Sequence, residues 1–310
     1  MSLKLGVSLP QMKKFDLGRD IVRVARAAEE TGYESLWVFE RTLFPTPMTQ
    51  GLYNVPGLEW PDGYRSVADP LVTLAMAAAV TERARLGTSV LVAPYHVPLQ
   101  LARWFATLDV ATGGRAVAGL GTGWSLDEYA AGSVAPFEKR GHVLDEVLDV
   151  FAAVHGPDPV SYEGTLSRIA PSEVGPKPAR PVPVYLAASN GKAMRRLVDR
   201  AQGWMPTGMY ADQLARAWQQ LQDLAAQHGR TRPLDFTVRA NVILTEKPYE
   251  AEDRQPFQGN IEQVIEDLLA HAQIDGLQEV LLDLCITARD GDHLLETLQD
   301  VYTAARTAGV

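Results

Sequence analysis

Four short stretches of this 310-residue chain carry residue types that can do chemistry. In Gly119-Leu-Gly-Thr-Gly-Trp124 the glycines let backbone amides approach an anionic or flat ligand, and Thr122 can offer its hydroxyl to a phosphate. A ligand-free tight turn suits the same letters, and the third glycine comes one residue early for a dinucleotide-binding turn. In Ala187-Ala-Ser-Asn-Gly-Lys192 a polar loop opens a helical pattern, delivering free amides and a positive helix end, with Lys192, Arg195, Arg196 and Arg200 close behind. An ordinary Ser/Asn helix cap reads the same way. In Leu86-Gly-Thr-Ser-Val-Leu-Val-Ala-Pro-Tyr-His-Val-Pro98 small residues interrupt a strand, as at a bulge or beside a flat ring, although composition alone also suits a buried strand. Finally, Glu40-Arg41 ends a strand pattern with a carboxylate beside a guanidinium, a pair suited to substrate positioning, proton transfer or a structural ion pair.

The remaining reactive residues give little. His96 titrates near neutrality but stands alone in its loop, where a hydrogen-bonding role is the simpler reading. His142, His155, His228, His271 and His293 fall on helical patterns without ligand spacing, so no metal site is expected. Cys285 is the sole cysteine and sits in the apolar run Val280-Leu-Leu-Asp-Leu-Cys-Ile286, which reads as a core thiol. Neither a nucleophile elbow nor a Walker loop is present.

Elements that must position these residues alternate along the chain. Candidate strands run over 3–9, 35–39, 84–92, 116–120, 182–187, 203–206, 236–244 and 279–284, the sixth being weak. Candidate helices run over 17–31, 69–81, 99–112, 141–155, 193–201, 212–227, 261–273 and 292–308. Asp16 and Asn260 sit where N-caps belong, and Gly32 and Gly276 follow the corresponding helices. Eight strand-helix units predict a closed α/β TIM (β/α)8 barrel in one domain, 1–310, in preference to an open doubly wound sheet or two small domains. Three connections exceed a minimal barrel: 40–67, rich in aromatics and prolines, 124–140, and the proline-rich 156–181. The first two follow strands and belong at the C-terminal mouth, where such barrels hold ligands.

Thirty-eight acidic against 29 basic residues leave a net charge of −9, which argues against nucleic-acid or anionic-membrane partners. No run approaches the length of a membrane span, and Met1–Pro10 lacks a signal-like apolar stretch, so a cytoplasmic location is expected.

Taken together, Gly32-Tyr-Glu-Ser-Leu-Trp-Val38, Asp69-Pro-Leu71, Thr81-Glu-Arg-Ala-Arg-Leu-Gly-Thr-Ser-Val-Leu91, Ala106-Thr-Leu-Asp109, Gly114-Arg115, Gly119 to Trp124, Arg140-Gly141 and Gly203-Trp204 resemble the bacterial luciferase-like monooxygenase superfamily, in its deazaflavin (coenzyme F420)-dependent branch. The resemblance implies a luciferase-like barrel with insertions, holding F420, or alternatively FMN, at its mouth, often in a homodimer; Trp218 is the one hint of a dimer in the sequence itself. It implies a non-proline cis peptide and a bulge at Ser89-Val90. Gly121, Thr122, Gly123, Ala188, Ser189, Asn190 and Gly191 are the further expected cofactor contacts, with Lys192, Arg195 and Arg196 as neighbours of a phosphate or an acidic tail. Two departures matter. Glu40-Arg41 stands where many deazaflavin members have an acid followed by histidine, and Trp124 stands where some dehydrogenases have glutamate. Sugar-phosphate dehydrogenation is therefore not expected. Trp60, Tyr64 and Trp124 suit a bulky, largely apolar small-molecule substrate, unless they simply pack on one another.

The expectation is thus an oxidoreductase moving a hydride between F420 and that substrate, with Glu40 as the proton-transfer or positioning group and Arg41 as its partner. Two alternatives are a monooxygenase using reduced FMN and oxygen with a separate reductase, and a flavin-binding barrel without turnover.

Overall fold

A computed structural model describes residues 3–310 and shows a closed parallel barrel. Its eight strands are β1 (Lys4–Ser8), β2 (Ser35–Val38), β3 (Arg85–Thr88), β4 (Ala116–Gly121), β5 (Val184–Leu186), β6 (Gly203–Trp204), β7 (Asp235–Asn241) and β8 (Glu279–Asp283). Each pairs in parallel with the next, and β8 pairs with β1 to close the ring. The helices are α1 (Leu17–Thr31), α2 (Pro70–Ala78), α3 (Pro98–Ala111), α4 (Leu126–Gly132), α5 (Arg140–Val154), α6 (Gly191–Arg200), α7 (Ala211–Gln227), α8 (Ile261–Ala272) and α9 (Gly291–Thr307). All but α4 belong to the barrel repeat.

Local chemistry fixes the helix ends as the sequence suggests. Asp16 caps α1 through Arg19 N, and Gly32 ends it at φ +117°, in the left-handed region that favours glycine. Asn260 and Gln263 cap α8 reciprocally. None of the helices described is long and apolar enough to cross a membrane.

Strand alternation sorts the core into two layers. Trp37, Val117, Tyr185, Met205 and Leu281 fill the lumen, whereas Leu36, Val38 and their counterparts face the helices. At the floor the buried Glu279 carboxylate accepts from Ser35 Oγ and pairs with Arg85, while Trp37 Nε1 donates to Ser35 Oγ. Tyr185 OH donates to Asp235 at 2.9 Å. Trp218 stacks on Phe236, ring centroids 4.4 Å apart, and is only 5% exposed, so it is a core residue and gives no hint of a dimer. Cys285 is a buried thiol, and burial pushes its pKa well up.

Three departures from the sequence reading have physical causes. The span 156–181 is not a plain loop: Val160–Glu163 and Arg168–Ser172 pair as an antiparallel hairpin, whose short strands are masked by flanking prolines and by exposure of all but a few side chains. The strand expected over 236–244 is divided, because Ile243–Leu244 leaves β8 to pair with Gln258–Gly259. The third strand is interrupted too, β3 stopping at Thr88 and pairing resuming at Leu91–Val92 against Leu120–Gly121.

That interruption depends on glycine in β4. A Cβ at Gly119 would lie 1.7 Å from the Thr88 carbonyl oxygen, a backbone atom that cannot swing aside. Gly119→Ala should therefore cost about 3 kcal/mol, at the upper end for overpacking, read as a lower urea midpoint; an unchanged midpoint would show that the contact is dispensable.

Candidate active site

The C-terminal ends of β2, β3, β4, β5 and β7 bring the site together. Beyond Thr88 the chain forms the Ser89-Val90 cis peptide, matching the expected bulge. Val90 packs against the lumen cluster, and Ser89 meets Arg239 of β7. Two consecutive side chains thus turn inward, which a regular strand does not allow.

This bulge is held from both sides. Within the lumen, Arg239 donates through Nη1 to the Ser89 carbonyl and hydroxyl, and through Nε to Asn241 Oδ1 at 3.1 Å, while Nη2 pairs with the buried Asp283 at 2.5 Å. Outside it, Ser89 N donates to Val38 O at 2.7 Å and Val92 N donates to Glu40 Oε2 at 2.6 Å. His96 Nε2 lies 2.8 Å from the other Glu40 oxygen. Arg239 and Asp283 were not singled out in the sequence, yet the alternation Thr237, Arg239, Asn241 against Val238, Ala240, Val242 marks a polar inner face.

Glu40 and Arg41 are not partners, contrary to the sequence expectation. Adjacent residues on an extended segment point to opposite sides, so Glu40 follows Val38 outward to Val92 and His96. Arg41 instead donates to Glu128 of α4 at 2.5 Å, and Glu128 also accepts from Thr42 N at 2.8 Å. The histidine missing next to Glu40 in the chain is supplied to it in space by His96.

Arg41 lies inside an aromatic group. Its guanidinium carbon is 4.7 Å from the Trp124 ring centroid, 5.4 Å from Tyr64 and 5.5 Å from Trp60, cation–π distances in each case. Trp60 and Trp124 pack on each other, centroids 4.9 Å apart, and Tyr53 packs edgewise on Trp124. Burial and the neighbouring Tyr53 push the Tyr64 pKa well up, although Arg239 and Arg41 oppose the shift. The loops 40–67 and 124–140 interlock here: Gln50 Nε2 donates to Trp124 O, Leu126 N donates to Gln50 Oε1, and Thr49 bonds Asp127 twice.

The two phosphate-suited turns leave adjacent strands, β4 and β5, whose register sets Leu120 beside Leu186. Gly123 takes φ +77°, and a Cβ there would meet Val92 and Tyr95. Thr122 is half-buried, Ala188 is buried, and Ser189, Asn190 and Gly191 are exposed. Asn190 Oδ1 caps α6 at Ala193 N, leaving the amides of Gly191 and Lys192 without intrahelical acceptors. Lys192 and Arg195 form no ion pair among the described residues. Arg196, grouped with them in the sequence reading, is instead engaged by Asp145 and Gly141 O of α5.

A cavity of about 1080 Å³ opens at the opposite, N-terminal end of the barrel. Its inner arginines are committed, Arg85 to Glu279 and Arg115 to the carbonyls of Thr81, Ala84 and Thr112. The described residues contain no cluster of three or more metal-ligating side chains.

Residues 7–300 match the luciferase-like monooxygenase family, and the chain belongs to it. An F420-dependent glucose-6-phosphate dehydrogenase of Kineococcus radiotolerans is 31% identical over 264 residues, 82% of this chain and 72% of that protein. Among solved structures, a monooxygenase, RslO1, from Streptomyces bottropensis superposes with a TM-score of 0.77 at 19% identity, over 99% of this chain and all of that one. An F420-dependent secondary alcohol dehydrogenase, solved with an F420-acetone adduct, gives 0.74 at 16% identity, with the same coverage.

The geometry makes Glu40 a support of the bulge. Glu40→Ala strands the buried Val92 N–H and should cost about 3 kcal/mol, while Glu40→Gln, which keeps an acceptor oxygen, should cost about 1 kcal/mol. Urea denaturation of the two variants checks this; equal losses would remove the hydrogen bond from the account.

Proposed function

We propose that the protein is an F420-dependent oxidoreductase acting on a small organic molecule. The observation that carries the reading is the Ser89-Val90 bulge, clamped between Arg239 and Glu40 beside two adjacent turns suited to phosphate. Relatives named as F420-dependent enzymes support it. The residues present fit such a group: Val90 offers an apolar support, Thr122 a hydroxyl, Ser189 to Gly191 exposed amides at a helix start, and Lys192 and Arg195 uncommitted charge.

When bound, the deazaflavin supplies hydride transfer; the chain supplies binding, orientation and shelter from water. In this reading Ser89 and Val90 orient the ring, and Thr122 with Ala188, Ser189, Asn190 and Gly191 holds the phosphate end. Gly121 and Gly123 let the turn come close. Glu40 acts on this platform as a positioning residue, while Arg41, with Trp60, Tyr64 and Trp124, meets the substrate beneath the interlocked loops.

An FMN-dependent monooxygenase served by a separate reductase is the second reading, favoured by the superposition on a monooxygenase. Fluorescence titration separates the two: F420 should bind and FMN should not, and the reverse result transfers the assignment. If a cofactor binds but no reductant-dependent spectral change follows with any substrate, the chain is a binding barrel without turnover. The double variant Lys192→Ala/Arg195→Ala should raise the F420 dissociation constant about tenfold at low salt and flatten its salt dependence, since both charges are solvent-facing. An unaltered salt profile would move the phosphate elsewhere.

A further inference from the structure

The cavity at the N-terminal end of the barrel has no part in the reading given above, because barrels of this kind hold substrate and cofactor at the other end, on the loops that follow the strands. At about 1080 Å³ it has the size of sites that take small organic molecules and is too large for a single inorganic ion to fill. Its inner wall is apolar: Leu148 and Phe151 of α5, Val182 before β5 and Val198 of α6 are all buried. Its rim is basic.

Arg85 and Arg115 are committed as described, and Arg200 pairs with Asp149. Arg180, Arg230 and Arg232 also line the cavity, and among the described residues none of the three forms an ion pair. The two aspartates of the wall are engaged elsewhere, Asp199 Oδ1 lying 2.8 Å from His228 Nδ1 and Asp235 accepting from Tyr185 OH at 2.9 Å. Three guanidiniums are thus left without a carboxylate at hydrogen-bond distance, in a chain whose net charge is −9.

The fold also holds these cations in place. Arg180 stands between Pro178 and Pro181, whose rings stiffen the backbone on either side. Arg230 donates through Nε to Arg232 O at 2.8 Å and through Nη1 to Val198 O at 2.6 Å, which ties the end of α6 to the segment 230–232 and leaves Nη2 for another acceptor. The tie brings two like charges together. Burial and the neighbouring Arg232 push the Arg230 pKa down, although Asp235 and Asp199 oppose the shift. An anion seated there relieves the repulsion, and the planar guanidinium forks match the oxygens of a phosphate. A phosphate monoester concentrates close to two negative charges on one group, as two adjoining arginines require. Inorganic phosphate alone leaves the apolar wall uncovered, and a neutral ring leaves the charges unmet.

We infer that the N-terminal end of this barrel carries a second ligand site, for an organic phosphate monoester whose head meets Arg230 and Arg232, with Arg180 adding attraction from the rim, and whose apolar body enters the cavity beside α5 and α6. The site is separate from the mouth and stands whether or not the deazaflavin assignment does.

Calorimetric titration at mildly alkaline pH and low salt with 2-naphthyl phosphate, 2-naphthol and inorganic phosphate tests this. The ester should bind at least about tenfold more tightly than either of the others, since each lacks one half of the match. Arg180→Gln/Arg232→Gln changes two exposed side chains that form no hydrogen bond among the described residues, and should raise the dissociation constant of the ester about tenfold. Lys192→Ala/Arg195→Ala, at the mouth, should leave it within about twofold, as should saturating F420. Undetectable binding of the ester, equal binding of naphthol or of inorganic phosphate, no loss in the Arg180/Arg232 variant, loss in the mouth variant, or displacement by F420 each overturns the inference. A protein that holds the ester in this pattern but fails to bind F420 loses only the cofactor assignment, so the two failures are distinct.

Discussion

The mouth of this barrel is organised around one grip: the carbonyl of Ser89 is held from the lumen by Arg239, and the amide of Val92 is held from outside by Glu40. Each holder has a second side-chain contact: Arg239 is paired with Asp283, and Glu40 lies 2.8 Å from His96 Nε2. Hydrogen bonds with an ionised partner are about twice as strong as neutral ones, and here two side chains, Arg239 and Glu40, hold a backbone segment only a few residues long. Much else is arranged to permit it. Gly119 has no side chain because the Thr88 carbonyl occupies that space, and Gly121 likewise leaves room for Val90.

Above this platform the molecule is closed by two loops that fasten to each other. The contacts are short-range and polar: Gln50 with the backbone at Trp124 and Leu126, Thr49 with Asp127, and Thr42 and Arg41 with Glu128. Nearly all end on the seven-residue α4 or just before it. The aromatic rings add area to the closure, but its register comes from these side-chain bonds.

How much of this was legible in the sequence follows from the range of each interaction. The eight strand-helix units, the caps at Asp16 and Asn260 and the bulge at Ser89-Val90 are written in neighbouring residues or in resemblance motifs, and the structure bears them out. Arg41 and Glu128 are 87 residues apart, and Arg239 and Ser89 150 apart, so no local pattern could pair them. Adjacency in the chain suggested Glu40 with Arg41, and strand geometry sends the two apart. The hairpin at 160–172 was hidden because prolines dominate its surroundings and a mostly exposed two-stranded unit leaves little apolar alternation.

One covalent detail couples the two halves of the mouth. Trp124 is the residue immediately after the turn Gly121-Thr122-Gly123, and Gly123, at φ +77°, is the joint between them. On the proposed reading, an anion seated on the turn and a substrate beneath the indole are held by positions only one residue apart along the chain. Binding of either ligand would then change the affinity for the other by the same factor, with neither order of addition compelled.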